Sequence, residues 1–143
     1  MAITQLSVYL VNEPGSLSRA VNAISEAGVN IRALSLADTK DFGILRLIVS
    51  DIDKTRQILD AHTIATETPV IAVKMKDKAG ALNTILQILD TEDINIEYIY
   101  AFTSSGPENA YVVLRVDDTE TAEKVLERYG ETVLSDEDLK ELL

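Results

Sequence analysis

Asn12-Glu13-Pro14-Gly15-Ser16-Leu17 lies over Asp77-Lys78-Ala79-Gly80-Ala81-Leu82 at an offset of 65 residues, and this overlay decides how the chain is read. The same offset places Val29-Asn30-Ile31 on Ile94-Asn95-Ile96, Val8 on Val73 and Ile24 on Leu89. After two extra residues near Ser104 to Glu108 the offset becomes 67. Leu47-Ile48-Val49 then falls on Leu114-Arg115-Val116, and Ile58-Leu59 on Val125-Leu126. A glycine, a leucine, an Asn-Ile pair and the apolar period all agree, so the chain is an internal repeat.

Within each half the apolar period switches between two and 3.6. Gln5 to Val11 alternates Leu6, Val8 and Leu10 with Ser7 and Tyr9, as a half-buried strand does. From Gly15, residues Leu17, Ala20, Val21, Ile24 and Ala27 recur at helical spacing, and Gly28 stands where a left-handed C-cap belongs. Ile31 to Leu36 alternates again, Thr39-Lys40-Asp41 reads as a turn, and Ile44 to Val49 as the next strand. Asp51 or Asp53 suits the cap of a second helix carrying Ile58 and Leu59, and Thr63 to Thr68 would close the unit.

The second half repeats the plan. Its strands fall at Val70 to Lys76, Ile94 to Phe102, Ala110 to Val116 and Glu131 to Leu134, with Ser105-Gly106-Pro107 in a loop. Its helices carry Leu82, Ile85, Leu86 and Leu89, then Ala122, Val125 and Leu126.

A βαββαβ order in about 70 residues predicts a ferredoxin-like α+β unit, an antiparallel sheet with both helices on one face. Two such domains are expected, at 1–68 and 69–135, with Pro69 ending one strand before the next begins. Residues 136–143 read as a short amphipathic tail with acids Asp136-Glu137-Asp138 at its start. Exposed sheet edges would favour pairing of the two halves or a further homodimer.

Composition narrows the function. Thirteen basic against 24 acidic residues give a formal charge of −11, which repels phosphate backbones and anionic lipid alike. Neither nucleic acid nor membrane is an expected partner. No apolar run approaches the ~20 residues of a bilayer span, and the N-terminus lacks a signal-peptide layout, so a cytoplasmic protein is expected. Cysteine is absent and His62 is the one histidine, so no thiolate metal site or nucleophile–base pair can be assembled and no cofactor is expected. No phosphate loop is present.

Asn12-x-Pro14-Gly15-x-Leu17 followed by Gly28-Val29-Asn30-Ile31 resembles the ACT domain of amino-acid-regulated enzymes, once per half. The resemblance implies a small amino-acid effector held between paired domains, against the first strand-to-helix loop and the start of the second strand. It also implies a separate metabolic enzyme as the partner that reads the signal. The ligand-binding candidates are therefore Asn12, Glu13, Pro14, Gly15, Ser16, Leu17, Asn30 and Ile31, with their counterparts Asp77, Lys78, Ala79, Gly80, Ala81, Leu82, Asn95 and Ile96.

The loop chemistry supports the assignment on its own terms. Pro14 presets its backbone angle and Gly15 allows close approach of main chain to ligand. A helix start directs N–H groups at a carboxylate. Asn12 and Asn30 offer donors and acceptors to a zwitterion without carrying charge. The same residues also suit a plain helix start and a plain strand entry, and Leu17 and Leu82 read better as core than as ligand contacts. Ala79 stands in place of Pro14, and Asp77 in place of Asn12 would attract an ammonium but repel a ligand carboxylate, with Lys78 as compensation, so two unequal sites are expected, the Asn12/Asn30 site the tighter. Tyr98 and Tyr100 replace Ala33 and Ser35 and would line a pocket or form an aromatic pair at the joint between halves. The alternative function is a protein-interaction subunit that binds no small molecule.

Overall fold

Alternation in the first strand sets which face of the sheet meets the helices. The computed structural model describes residues 2–38, 41–59, 63–103 and 108–142. Strand β1 (Ile3–Val11) turns Leu6, Val8 and Leu10 into a core that α1 (Ser16–Glu26) closes with Ala20 and Ile24. β2 (Ile31–Asp38) and β3 (Phe42–Val49) pair antiparallel, and β3 pairs antiparallel with β1, giving the order β2-β3-β1. α2 (Ile52–Leu59) adds Leu59 to the same core.

The residues of β4 (Ile64–Lys76) up to Thr68 supply the last strand of the first unit, and the rest of β4 opens the second, which continues with α3 (Ala81–Thr91), β5 (Ile96–Thr103), β6 (Asn109–Val116), α4 (Thr119–Arg128), β7 (Thr132–Val133) and α5 (Asp136–Leu142). Its order β7-β4-β6-β5 is antiparallel throughout. Ile71, Val73, Ile85, Leu89, Leu114 and Leu126 lie at the centre of its core. By compactness the chain divides into Thr4–Thr68 and a unit that begins at Pro69 and takes in Ala2 and Ile3. Both are ferredoxin-like βαββαβ units.

The repeat is visible bond by bond. Asn12 N–H donates to the Asp41 carbonyl at 3.4 Å and Asp77 N–H to the Glu108 carbonyl at 2.9 Å. Ser50 N–H donates to the Asn30 carbonyl at 2.9 Å and Asp117 N–H to that of Asn95 at 3.3 Å. The first helix of each unit ends alike: Gly28 has φ 76° and Asp93, its counterpart, φ 57°. Val29 N–H then reaches the Ile24 carbonyl at 3.3 Å and Ile94 N–H that of Leu89 at 2.9 Å, which satisfies carbonyls the helix would leave orphaned. Asp51 and Asp118 cap the second helices, accepting from Lys54 N–H and Thr121 N–H, each at 3.1 Å.

Two expectations are corrected. Pro69 does not end a strand: β4 runs unbroken through it from Ile64 to Lys76. The fixed φ of proline suits an extended chain, and pairing with β6 begins only at Ile71, so its missing N–H falls outside that ladder. Leu82 is 38% exposed and is not a core residue, whereas its counterpart Leu17 packs against the first core. The tail folds as α5, where Ser135 and Asp138 cap each other at 2.8 and 3.2 Å and Leu139 is buried. His62, Asp60, the Thr39-Lys40 turn, the Ser105-Gly106-Pro107 loop and Leu143 lie outside the described residues.

Candidate functional site

The β1–α1 loop is shaped by Gly15. Its φ of 88° and ψ of −10° belong to the left-handed region, and it caps α1 with no side-chain bond. Gly80 repeats this with φ 90° and ψ −16° at the start of α3. Both loops fold back on themselves, with Ser16 N–H on the Glu13 carbonyl and Ala81 N–H on the Lys78 carbonyl, each at 3.3 Å. Asn12, Glu13 and Pro14 are exposed, as are Asp77, Lys78 and Ala79.

The side chains make the loops unlike. Asn12 donates through Nδ2 to Asp38 Oδ1 at 3.1 Å, which places a carboxylate beside it that the sequence reading did not foresee. Arg19, one turn into α1, donates through Nη2 to Glu13 Oε1 at 3.2 Å and to Ser16 Oγ at 3.4 Å. A Cβ on Gly15 would stand 2.9 Å from Arg19 Nη1, so the guanidinium lies across the bare glycine. A Cβ on Gly80 would meet nothing within 4 Å; Thr84, the counterpart of Arg19, donates instead to the Gly80 carbonyl at 3.1 Å.

Asn30 is not brought to Asn12 within the unit. β1 ends with Val11 opposite Phe42, while β2 begins with Ile31 opposite Val49. Those two β3 residues are seven positions apart, roughly 23 Å along a strand. The second unit repeats this, with Lys76 opposite Asn109 and Ile96 opposite Val116. Asn30 is exposed, its N–H donating to Ser50 Oγ at 2.9 Å; Ile31 and Ile96 are half-buried against the two cores. One unit therefore cannot bring both asparagines to one small ligand. The signal was in the sequence: α1 carries the chain back along the sheet before β2 starts.

Behind the first loop lies a cavity of about 510 Å³. Glu13, Ser16 and Arg19 line it on the loop side; Ala20 and Ala23 of α1, Ile58 and Leu59 of α2, and Leu10 of β1 supply apolar wall. Of the sequence candidates it includes Glu13 and Ser16 but not Asn12, Pro14, Gly15, Leu17, Asn30 or Ile31. In the second unit Tyr98 and Tyr100 stack with ring centroids 6.5 Å apart. Among the described residues no cluster of His, Cys, Asp and Glu could hold a metal ion, and no helix is long and apolar enough to cross a membrane.

Comparison with known proteins settles the family. A family model described as an ACT domain pair matches residues 1–143. The chain belongs to the ACT domain pair family. A Bacteroides thetaiotaomicron protein of known structure is 35% identical and superposes with a TM-score of 0.90 over 97% of this chain and 96% of that one. The regulatory subunit of aspartate kinase from Thermus thermophilus shares the fold, at 16% identity and a TM-score of 0.61 over 89% of this chain and 92% of that one. In sequence the ACT pair is similar to the acetolactate synthase small subunit of Buchnera aphidicola subsp. Schizaphis graminum, 36% identical over 53 residues. That match covers 37% of this chain and 34% of the relative, so it spans about a third of the relative's length.

Proposed function

We propose that this ACT pair is a non-catalytic regulatory module that binds a small amino acid at a junction between ACT units and signals to a separate enzyme of amino-acid metabolism. The observation that carries the reading is the β1–α1 loop, built twice on a left-handed glycine in a chain of this family. Relatives named as the small or regulatory subunits of acetolactate synthase and aspartate kinase support a partner of that kind. The Asn12 loop and an Asn30-type residue stand at opposite ends of a unit, so a ligand touching both needs a second unit to supply one of them. With Asp38 beside Asn12, that loop suits the ammonium end of a zwitterion as well as its carboxylate. A shift of packing on binding can be no larger than the ligand's differential affinity for the two states.

A thermal-shift screen of the purified chain against the common amino acids tests this, with calorimetry on any hit. At one hundred times its dissociation constant a ligand adds about 2.7 kcal/mol, which raises Tm by several degrees. A selective shift that weakens in Asn12→Ala, and less so in Asp77→Ala, is the expected result. A flat screen from a folded chain would leave the protein-interaction subunit as the reading.

A further inference from the structure

Strand β2 matches its own reverse. Arg32-Ala33-Leu34-Ser35-Leu36-Ala37-Asp38 reads alike from either end about Ser35, except that a cation stands at one end and a carboxylate at the other. Two copies of it laid antiparallel, Ser35 on Ser35, match at every position. Alanine faces alanine, leucine faces leucine, and Arg32 faces Asp38 at both ends. Residues that face each other across a ladder also share one side of the sheet, so the leucines of both copies would meet.

The edge is open to such a partner. β2 is the outer strand of the first unit and, among the described residues, pairs only with β3. Leu34 and Leu36 lie in register with Leu47 and Leu45 of the core, yet they are 49% and 48% exposed. From Leu34 to Asp38 the strand carries no lysine and no proline, and its register shift falls before Ala33, so the usual guards of an edge are missing. The outer strand of the second unit, β5, makes a poorer match. At the repeat offset Ser35 corresponds to Tyr100, and centring β2 on β5 in that register sets Asp38 against Glu97, two carboxylates that repel. Centred on itself, β5 sets Glu97 against Thr103 and gains no charge pair.

We propose that two copies of the chain join through β2, first unit to first unit, about a two-fold axis at Ser35, and that this pairing completes the amino-acid site. The inference rests on the reading above and names the second unit that it requires. With Arg32 of the second copy opposite Asp38, Asn30 of that copy lies two residues further on, roughly 7 Å beyond. That is the end of the sheet where Asn12 donates to Asp38 at 3.1 Å. Each dimer then holds two equivalent sites, each with Asn12 and Asp38 from one copy and Asn30 from the other.

Sedimentation equilibrium of the full chain tests the pairing without any ligand, and a dimer is expected. Arg32→Asp and Asp38→Arg should each weaken it about tenfold or more, and the double variant should restore it, because the charges are exchanged and not removed. Leu34→Glu, at a half-exposed position, should give the same loss and covers the case in which a charge variant misfolds. The chain has no cysteine, so Ser35→Cys puts a single thiol on the axis, where Cα atoms about 4.5–5.5 Å apart permit a disulfide. Mild oxidation should then give a covalent dimer. A monomer, or a dimer indifferent to these substitutions, would overturn the proposal. So would cross-linking that appears only when Ser35→Cys is combined with Tyr100→Cys, since that places β5 against β2. For the site, Asn12→Ala and Asn30→Ala chains are refolded together and probed with an equimolar mixture of the common amino acids. The mixture of variants should regain part of a thermal shift that neither has alone, because one site of a mixed dimer keeps both asparagines. No recovery from an intact dimer would overturn the completion of the site by the second copy. A flat response from the parent dimer would overturn the amino-acid reading and leave the β2 pairing standing.

Discussion

Gly15→Ala and Gly80→Ala place the same added methyl at the same left-handed position in two copies of one loop, and only one copy has a neighbour to strike. With φ near 90° at both, an L-residue costs about 1–2 kcal/mol. Alanine returns about 0.4–1 kcal/mol by restricting the unfolded chain, so the backbone alone leaves a net loss near 1 kcal/mol. For Gly80 that is the whole effect, because nothing lies within 4 Å of the new carbon. For Gly15 the carbon meets Arg19 Nη1 at 2.9 Å, and the guanidinium must leave Glu13 and Ser16 to make room. These contacts are exposed, so their loss adds on the order of 0.5 kcal/mol. Urea melts followed by far-UV circular dichroism give both values, and a cycle with Arg19→Ala isolates the difference. In the Arg19→Ala background the two glycine substitutions should cost the same. If Gly80→Ala is as stable as the parent, the backbone argument is wrong; if the Gly15 excess survives without Arg19, the contact argument is.

Three further outcomes follow from the packing and the caps. Ile85→Ala, at a side chain with no exposure, should cost about 2–5 kcal/mol in the same melts. Asp93→Gly should stabilise the chain by about 0.5 kcal/mol, because φ 57° suits glycine and the Ile94–Leu89 bond needs no side chain at 93. Asp118 is held below the usual carboxylate value, first by the Thr121 hydroxyl and then by the Thr121 N–H, and Asp138 likewise by the Ser135 N–H and hydroxyl. A depressed folded value adds stability above the unfolded pKa and loses it as pH falls through the folded one. Asp118→Asn should therefore flatten the acid limb of a stability–pH profile and leave its neutral-to-alkaline limb parallel to the parent's.

Much of the fold was legible because its causes are local. The change of period at Gly15 marks where a strand's alternation gives way to a helical stripe. Gly28 marks a helix end because few other residues adopt positive φ. Asp51, one of two residues that suited the cap of the second helix, was legible because a short acceptor there reaches an orphan N–H. The loop candidates were legible only in part. Asp38 and Arg19 come to the Asn12–Leu17 segment from 26 residues away and from a helix face, and neither belongs to the motif.

The sequence by itself determined that one βαββαβ plan is written twice and which side of most elements is apolar. These follow from side-chain period and from the φ each residue tolerates, and neither depends on distant contacts. Only the tertiary structure decided that Asn12 and Asn30 stand at opposite ends of a unit, that β4 passes through Pro69, and that Leu82 is exposed. Each depends on strand register or on how volume is shared between elements far apart in the chain. A linear pattern states which side of an element is apolar; it does not state what stands opposite, or whether the space between is full.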